Sequence, residues 1–107
     1  MHLTLRQLKI FEAVARHLSF SRAADELHLT QPAVSMQVRS LEEAAGLPLT
    51  EQVGKKIFLT EAGGELARHA RVVAQQLREA EEALAAMKGL RGGLLNIAAV
   101  STAKYFV

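Results

Sequence analysis

The chain has 107 residues, half of them apolar and 22% charged, with no Cys, no Trp and a formal charge of +2. That length supports one small core plus an appendage, the apolar content excludes a disordered tail, and the missing Cys excludes disulfides, thiolate metal ligands and thiol nucleophiles. No apolar run approaches the roughly 18 residues of a membrane span and residues 1–10 lack a signal-peptide core, so a cytoplasmic protein without membrane attachment is expected. Two net charges are too few to name a partner, and the placement of the charges has to decide.

Thr4 caps a first predicted helix whose apolar stripe is Leu8, Phe11, Val14, Ala15 and Leu18. Ser19 or Ser21 starts a second, in which Ala23, Ala24 and Leu27 allow close packing on the first, and it ends near His28. Leu29 to Pro32 turns into a third helix, capped by Thr30, with Pro32 tolerated in the first turn. Val34, Val38, Leu41 and Ala45 fall within one arc of it, and Gly46 stops it. Leu47 to Thr60 reads as a small hairpin around Gly54-Lys55.

Thr60 then caps a long helix from about Glu61 to Lys88, closed by Gly89 and Gly92-Gly93. At 1.5 Å per residue it is about 40 Å long, more than the preceding segment can cover. Leu66, Ala70, Val73, Leu77, Ala80, Leu84 and Met87 alternate at spacings of four and three, a heptad seam suited to self-association. An amphipathic helix lying on its own domain would give a similar pattern over so short a span. Leu94 to Val107 is rich in β-branched and small residues, as a first strand would be, and implies a piece of a longer chain. The expected fold is mainly α: a winged helix-turn-helix over 1–60, a dimerisation helix over 61–89, and a hinge with the first strand of another domain over 90–107.

Two short helices joined by a tight turn, with a hairpin behind, make a winged helix-turn-helix. With Val34, Val38, Leu41 and Ala45 inward, Pro32, Met36, Arg39, Ser40 and Glu43 point outward, Ser35 sits on the flank and Gln31 at the amino end. No carboxylate occurs from Leu27 to Leu41 or from Gln52 to Thr60. Such a face suits the DNA major groove, where base edges take small or hydrogen-bonding side chains. Thr30, Gln31, Pro32, Ser35, Met36 and Arg39 are therefore candidate DNA-contacting residues. Gln31 would pair with adenine, Arg39 with guanine or a phosphate, and Met36 would touch a thymine methyl. Ordinary helix-start chemistry would also account for Gln31 and Ser35. Lys55 and Lys56 at the hairpin tip suit phosphate or minor-groove contacts, though a solvated turn would look the same, and Arg22 at the start of the second helix suits a phosphate.

The runs Ser19-Phe20-Ser21-Arg22-Ala23-Ala24, Leu27-His28-Leu29-Thr30-Gln31-Pro32-Ala33-Val34-Ser35, Leu41-Glu42-Glu43 and Leu59-Thr60-Glu61-Ala62-Gly63 resemble the LysR-type transcriptional regulators. Ala33 to Val38 and Glu51 to Ile57 are similar to the CbbR-type regulators of carbon-fixation (RuBisCO) operons. The resemblance implies a winged helix-turn-helix, a linker helix that forms an antiparallel homodimer, and a metabolite-sensing C-terminal domain that Leu95 to Ala103 would begin. It further implies a tetramer in the full-length protein and contact with RNA polymerase. Met36 stands where many members have Arg, Gln52 where Arg is frequent, and Thr50 where Phe usually anchors the wing.

An enzyme is disfavoured. The four His (His2, His17, His28, His69) have no companions at metal-ligand spacing, and no dinucleotide or phosphate-loop glycine pattern occurs. No cofactor, metal or catalytic residue is expected. The remaining alternative is a helical dimerisation module without DNA binding, which steep salt dependence of duplex binding would exclude.

Overall fold

The computed structural model is described for residues 1–98, with side chains through Leu90. It contains α1 (Leu5–His17), α2 (Phe20–Leu27), α3 (Gln31–Ala45), β1 (Thr50–Val53), β2 (Lys56–Leu59) and α4 (Glu61–Ala98). A first compact unit covers Met1–Ala74 and a second starts at Gln75.

Each short helix starts where its cap residue dictates. Thr4 and Gln7 form a reciprocal capping box at α1, Ser19 accepts the Arg22 N–H at α2, and Thr30 accepts the Ala33 N–H at α3. Such caps contribute about 1 kcal/mol each by satisfying donors that have no intrahelical acceptor. Pro32 sits in the first turn of α3 and Gly46 closes it. Leu18 and His28 close α1 and α2 in the left-handed region, with φ of 49° and 57°.

α1, α2 and α3 pack pairwise around Phe11, Val14, Ala23, Ala24, Val34, Val38 and Leu41. The buried stripe of α1 differs at one end from the sequence expectation. Ile10 and Ala13 are buried, whereas Leu18 is 45% exposed because it is the cap residue whose backbone turns away from the helix. An exposed cluster joins α1 to α2: Arg16 donates to Glu12 and to Glu26, and the His17 ring nitrogen lies 2.8 Å from Glu26.

The hairpin pairs Thr50 with Leu59 and Val53 with Lys56, leaving Gly54-Lys55 as the loop. Gly54 adopts φ +64°, a value a side chain would strain. Thr50, Gln52, Ile57 and Leu59 share one face, and Ile57 and Leu59 pack against the core. Leu49, 2% exposed, supplies the wing's main core contact. Thr50, where an aromatic anchor is usual in the resembled family, is half-buried beside it.

α4 begins with Thr60, whose hydroxyl donates to the Pro48 carbonyl at 2.7 Å and accepts the Gly63 N–H at 3.0 Å. The Thr60 N–H donates to the Leu49 carbonyl at 3.1 Å. Ala62, Leu66 and Ala67 then pack on the core, so the first unit ends inside α4 rather than at Thr60.

Two sequence expectations about α4 are corrected. The helix does not close at Gly89 or Gly92-Gly93 but continues to Ala98, so Leu94 to Ala98 is helix and not strand. A helical glycine costs about 1 kcal/mol relative to alanine, which weakens a helix without ending it. Termination at a glycine uses a left-handed residue, and the positive-φ glycines among the described residues are Gly46 and Gly54. Residues 99–107, the rest of the expected strand, lie outside the described residues. The second correction concerns the seam. Leu66 packs partly against the core and Ala70 is 1% exposed, so their own unit already engages these two seam positions in the single chain.

A Cβ on Gly63 would lie 1.9 Å from the Leu49 carbonyl oxygen, a backbone atom that cannot rotate away, whereas one on Gly64 meets nothing within 4 Å. Gly63→Ala is expected to destabilise the chain by about 2 kcal/mol or more, and Gly64→Ala to stabilise it by about 0.5–1 kcal/mol. Urea unfolding of both variants checks the pair.

Hydrogen bonds from Arg16, then His17, hold the Glu26 carboxyl down from its ordinary value of 4.5 to about 2. Between those values the unfolded chain binds the proton and the folded chain does not, so stability rises with pH there. The contribution is complete above about pH 5 and disappears as pH falls toward 2. It is modest, about 1 kcal/mol or less, because the pair is exposed. Glu26→Gln should flatten the fall in urea midpoint between pH 5 and pH 2.5 while shifting the pH 6 midpoint downward.

Candidate nucleic-acid interface

The residues that bear on function lie on the side of α3 opposite its core contacts. Val34 and Leu41 are fully buried and Val38 nearly so, which fixes the helix's rotation about its own axis. Gln31, Pro32, Met36, Arg39, Ser40 and Glu43 are all exposed as expected, Met36 at 70%, and Ser35 is half-buried on the flank. Thr30 is engaged as the helix cap, so its oxygen already serves the backbone. Gln31 donates through Nε2 to Ser35 Oγ at 2.8 Å, one turn along the same helix.

The candidate cations are accessible. Arg22, Arg39, Lys55 and Lys56 are exposed and form no salt bridge among the described residues, whereas Arg16 and Arg68 do. Arg39 lines a shallow groove with Glu42, Glu43, Gly46, Leu47 and Pro48, where α3 gives way to the wing. Lys55 lies in the hairpin loop and Lys56 opens β2. Gln52 donates to the Gly54 carbonyl at 3.4 Å, so it touches the loop that carries the lysines. Arg22 projects from the first turn of α2, although its own N–H is taken by Ser19.

Sequence reasoning missed the residue that joins these parts. Glu42 Oε2 accepts the Leu49 N–H at 2.8 Å and the Thr50 N–H at 3.3 Å, tying the last turns of α3 to the start of the wing. The carboxylate is half-buried and forms no salt bridge among the described residues. Its acceptors serve backbone donors that the hairpin leaves unmatched where β1 begins. The sequence offered one signal, an acid directly after the buried Leu41, but gave no sign that the donors lay beyond Gly46.

This arrangement, a fixed helix with an exposed polar face and a wing bolted to its far end, has close counterparts. Residues 5–64 match the family of bacterial regulatory helix-turn-helix proteins of the lysR type. The chain belongs to the LysR family. A RuBisCO operon transcriptional regulator of Allochromatium vinosum is 58% identical over 99% of this chain and 35% of its own length. The HTH-type transcriptional regulator CbbR of Rhodospirillum rubrum is 57% identical over 95% of this chain and 34% of its own. This LysR-family chain therefore spans about a third of the length of the curated relatives it matches. Among solved structures, the CbnR DBD in a complex with DNA superposes with a TM-score of 0.68 at 35% identity, covering 79% of this chain and 99% of that one. Full-length OxyR C199D of Pseudomonas aeruginosa superposes at 0.72 and 30% identity, covering 79% and 29%. Among the described residues no helix is long and apolar enough to cross a membrane.

Glu42→Ala would leave the Leu49 N–H without its partner in a partly buried position, at a cost of about 1–3 kcal/mol. The expected outcome is a lower melting temperature together with faster amide hydrogen exchange at Leu49 and Thr50. Unchanged exchange at those two amides would show that the carboxylate does not hold the wing.

Proposed function

We propose that this chain is the DNA-binding and dimerising part of a transcriptional regulator of carbon-fixation genes, acting by binding and not as an enzyme. The observation that carries the reading is the outward face of α3. Gln31, Pro32, Met36 and Arg39 are exposed together over a fully buried Val34 and Leu41, with no carboxylate before Glu42. The third helix enters the major groove and presents these residues to base edges, with Ser35 on the flank of the same DNA-facing stretch. Arg22, Lys55 and Lys56 neutralise phosphates, and the wing also reaches the minor groove. The solved LysR-family DNA complex and the names of the relatives support this assignment.

The regulator works as a dimer on an interrupted palindrome, whose half-site spacing follows the protein's two-fold symmetry. The exposed part of the heptad seam supports self-association: in the second unit Ala80 is exposed, Leu84 is 67% and Met87 63% exposed, and Leu77 is partly buried. Val73, half-buried in the first unit, extends the seam. The longer relatives leave room for a C-terminal domain that senses a metabolite, through which paired dimers forming a tetramer would engage RNA polymerase. The setting is the cytoplasm, where the DNA is.

Fluorescence anisotropy of the 107-residue chain on duplexes from upstream of a RuBisCO operon tests the reading. Affinity should fall with salt at a log-log slope of about −0.9 per neutralised phosphate, and Arg39→Ala should weaken binding about tenfold or more. Leu84→Glu with Met87→Glu should yield monomers in sedimentation and a larger loss on paired than on single half-sites. A dimer without duplex binding at low salt would instead establish the pure dimerisation module.

A further inference from the structure

We infer that Ser35 is a positioning residue that holds the Gln31 amide ready to read adenine. The inference rests on the DNA-binding reading above and deepens it. Reading adenine in the major groove requires an acceptor for N6–H and a donor for N7, side by side. A glutamine amide offers these as Oε1 and the N–H on the carbonyl's side. Its second N–H points back past Cγ and is not used by the base. Gln31 Nε2 donates to Ser35 Oγ at 2.8 Å, on the same exposed stretch of helix. One amide hydrogen is thereby engaged within the helix; with the second N–H in that role, the pair that matches adenine stays open.

Residues four apart on a helix are neighbours, so Ser35 is placed to make this bond without distorting the backbone. The physical benefit is entropic. A free glutamine side chain loses rotamer freedom when it is fixed, and Ser35 fixes it before the duplex arrives. With Nε2 turned to Ser35, Oε1 is left free as the acceptor that the adenine N6–H requires. Ser35, half-buried on the flank, therefore acts through Gln31, while Gln31 is exposed to the base. The helix start supports both, because Thr30 caps the Ala33 N–H and fixes the first turn from which Gln31 projects.

The 107-residue chain is studied free and on duplexes selected by it from a randomised pool. In the free chain, NMR order parameters of the Gln31 side-chain NH2 should be high and should fall in Ser35→Ala. On DNA, Gln31→Ala identifies the adenine position by removing discrimination there, and 7-deazaadenine at that position should weaken wild-type binding. Ser35→Ala should reduce discrimination at the same position from about tenfold to about twofold, with no further loss in the Gln31→Ala background. Ser35→Thr, which keeps the hydroxyl, should restore it, and melting temperatures of all variants should stay within a few degrees.

An unchanged Gln31 NH2 order in Ser35→Ala overturns the inference. So does a Ser35→Ala loss of the same size with and without Gln31, which makes Ser35 an independent contact. If the wild type selects a sequence but Gln31→Ala alters no base preference, the inference falls while the DNA-binding reading stands. If the wild type selects no sequence at any salt, both fall.

Discussion

One residue outside any helix ties the molecule together. Leu49 places its side chain in the core, its N–H on Glu42 of α3 and its carbonyl on the Thr60 N–H at the start of α4. The Gly63 backbone approaches that carbonyl so closely that no side chain fits between them. Apolar burial alone would hold the side chain but leave the wing free to swivel about it. The two directed backbone contacts remove that freedom, because hydrogen bonds specify orientation where hydrophobic contact does not. The wing lysines are thus fixed to the far end of α3.

The third helix, α3, is constrained by its two sides differing in kind. Val34, Val38 and Leu41 interlock with Phe11 and Val14 of α1 and with the small residues of α2. A rotation of α3 by even part of a turn would expose these side chains and bury Arg39 or Gln31 without partners, at several kcal/mol. The polar face therefore owes its orientation to the apolar one. α2 is held in turn by the Arg16 to Glu26 ion pair and by its Ser19 cap, and it sets where α3 can begin. On the outer side, the Gln31 and Ser35 bond extends the same ordering into the side chains.

α4 shows how one repeating pattern serves two ends. Leu66 and Ala70 stand at positions of the same heptad seam as Leu84 and Met87, yet the first two are covered within the first unit and the last two lie open in the second. Periodicity records which side of a helix is apolar. It does not record whether that side meets its own chain or another. The glycines of the helix carry a similar lesson, since Gly89 reads as a stop in isolation but remains helical, there being no left-handed residue to turn the chain.

Local chemistry made much of this protein legible in its sequence. Thr4, Ser19 and Thr30 act as caps, Gly46 as a stop and Gly54 as a turn because each acts on atoms within a few residues of itself. The outward set of α3 followed from helical geometry once Val34, Val38 and Leu41 were placed inward. The LysR motifs, spaced along the first half, made the family and its fold readable from the same stretch. Four features needed the tertiary structure: the anchoring role of Glu42, the close approach at Gly63, the engagement of Leu66 and Ala70 by their own unit, and the exposure of Leu18. Each depends on an atom brought near by a fold of the chain, or on a cap backbone turned away from the helix, and neither is encoded in the spacing of residues along one element.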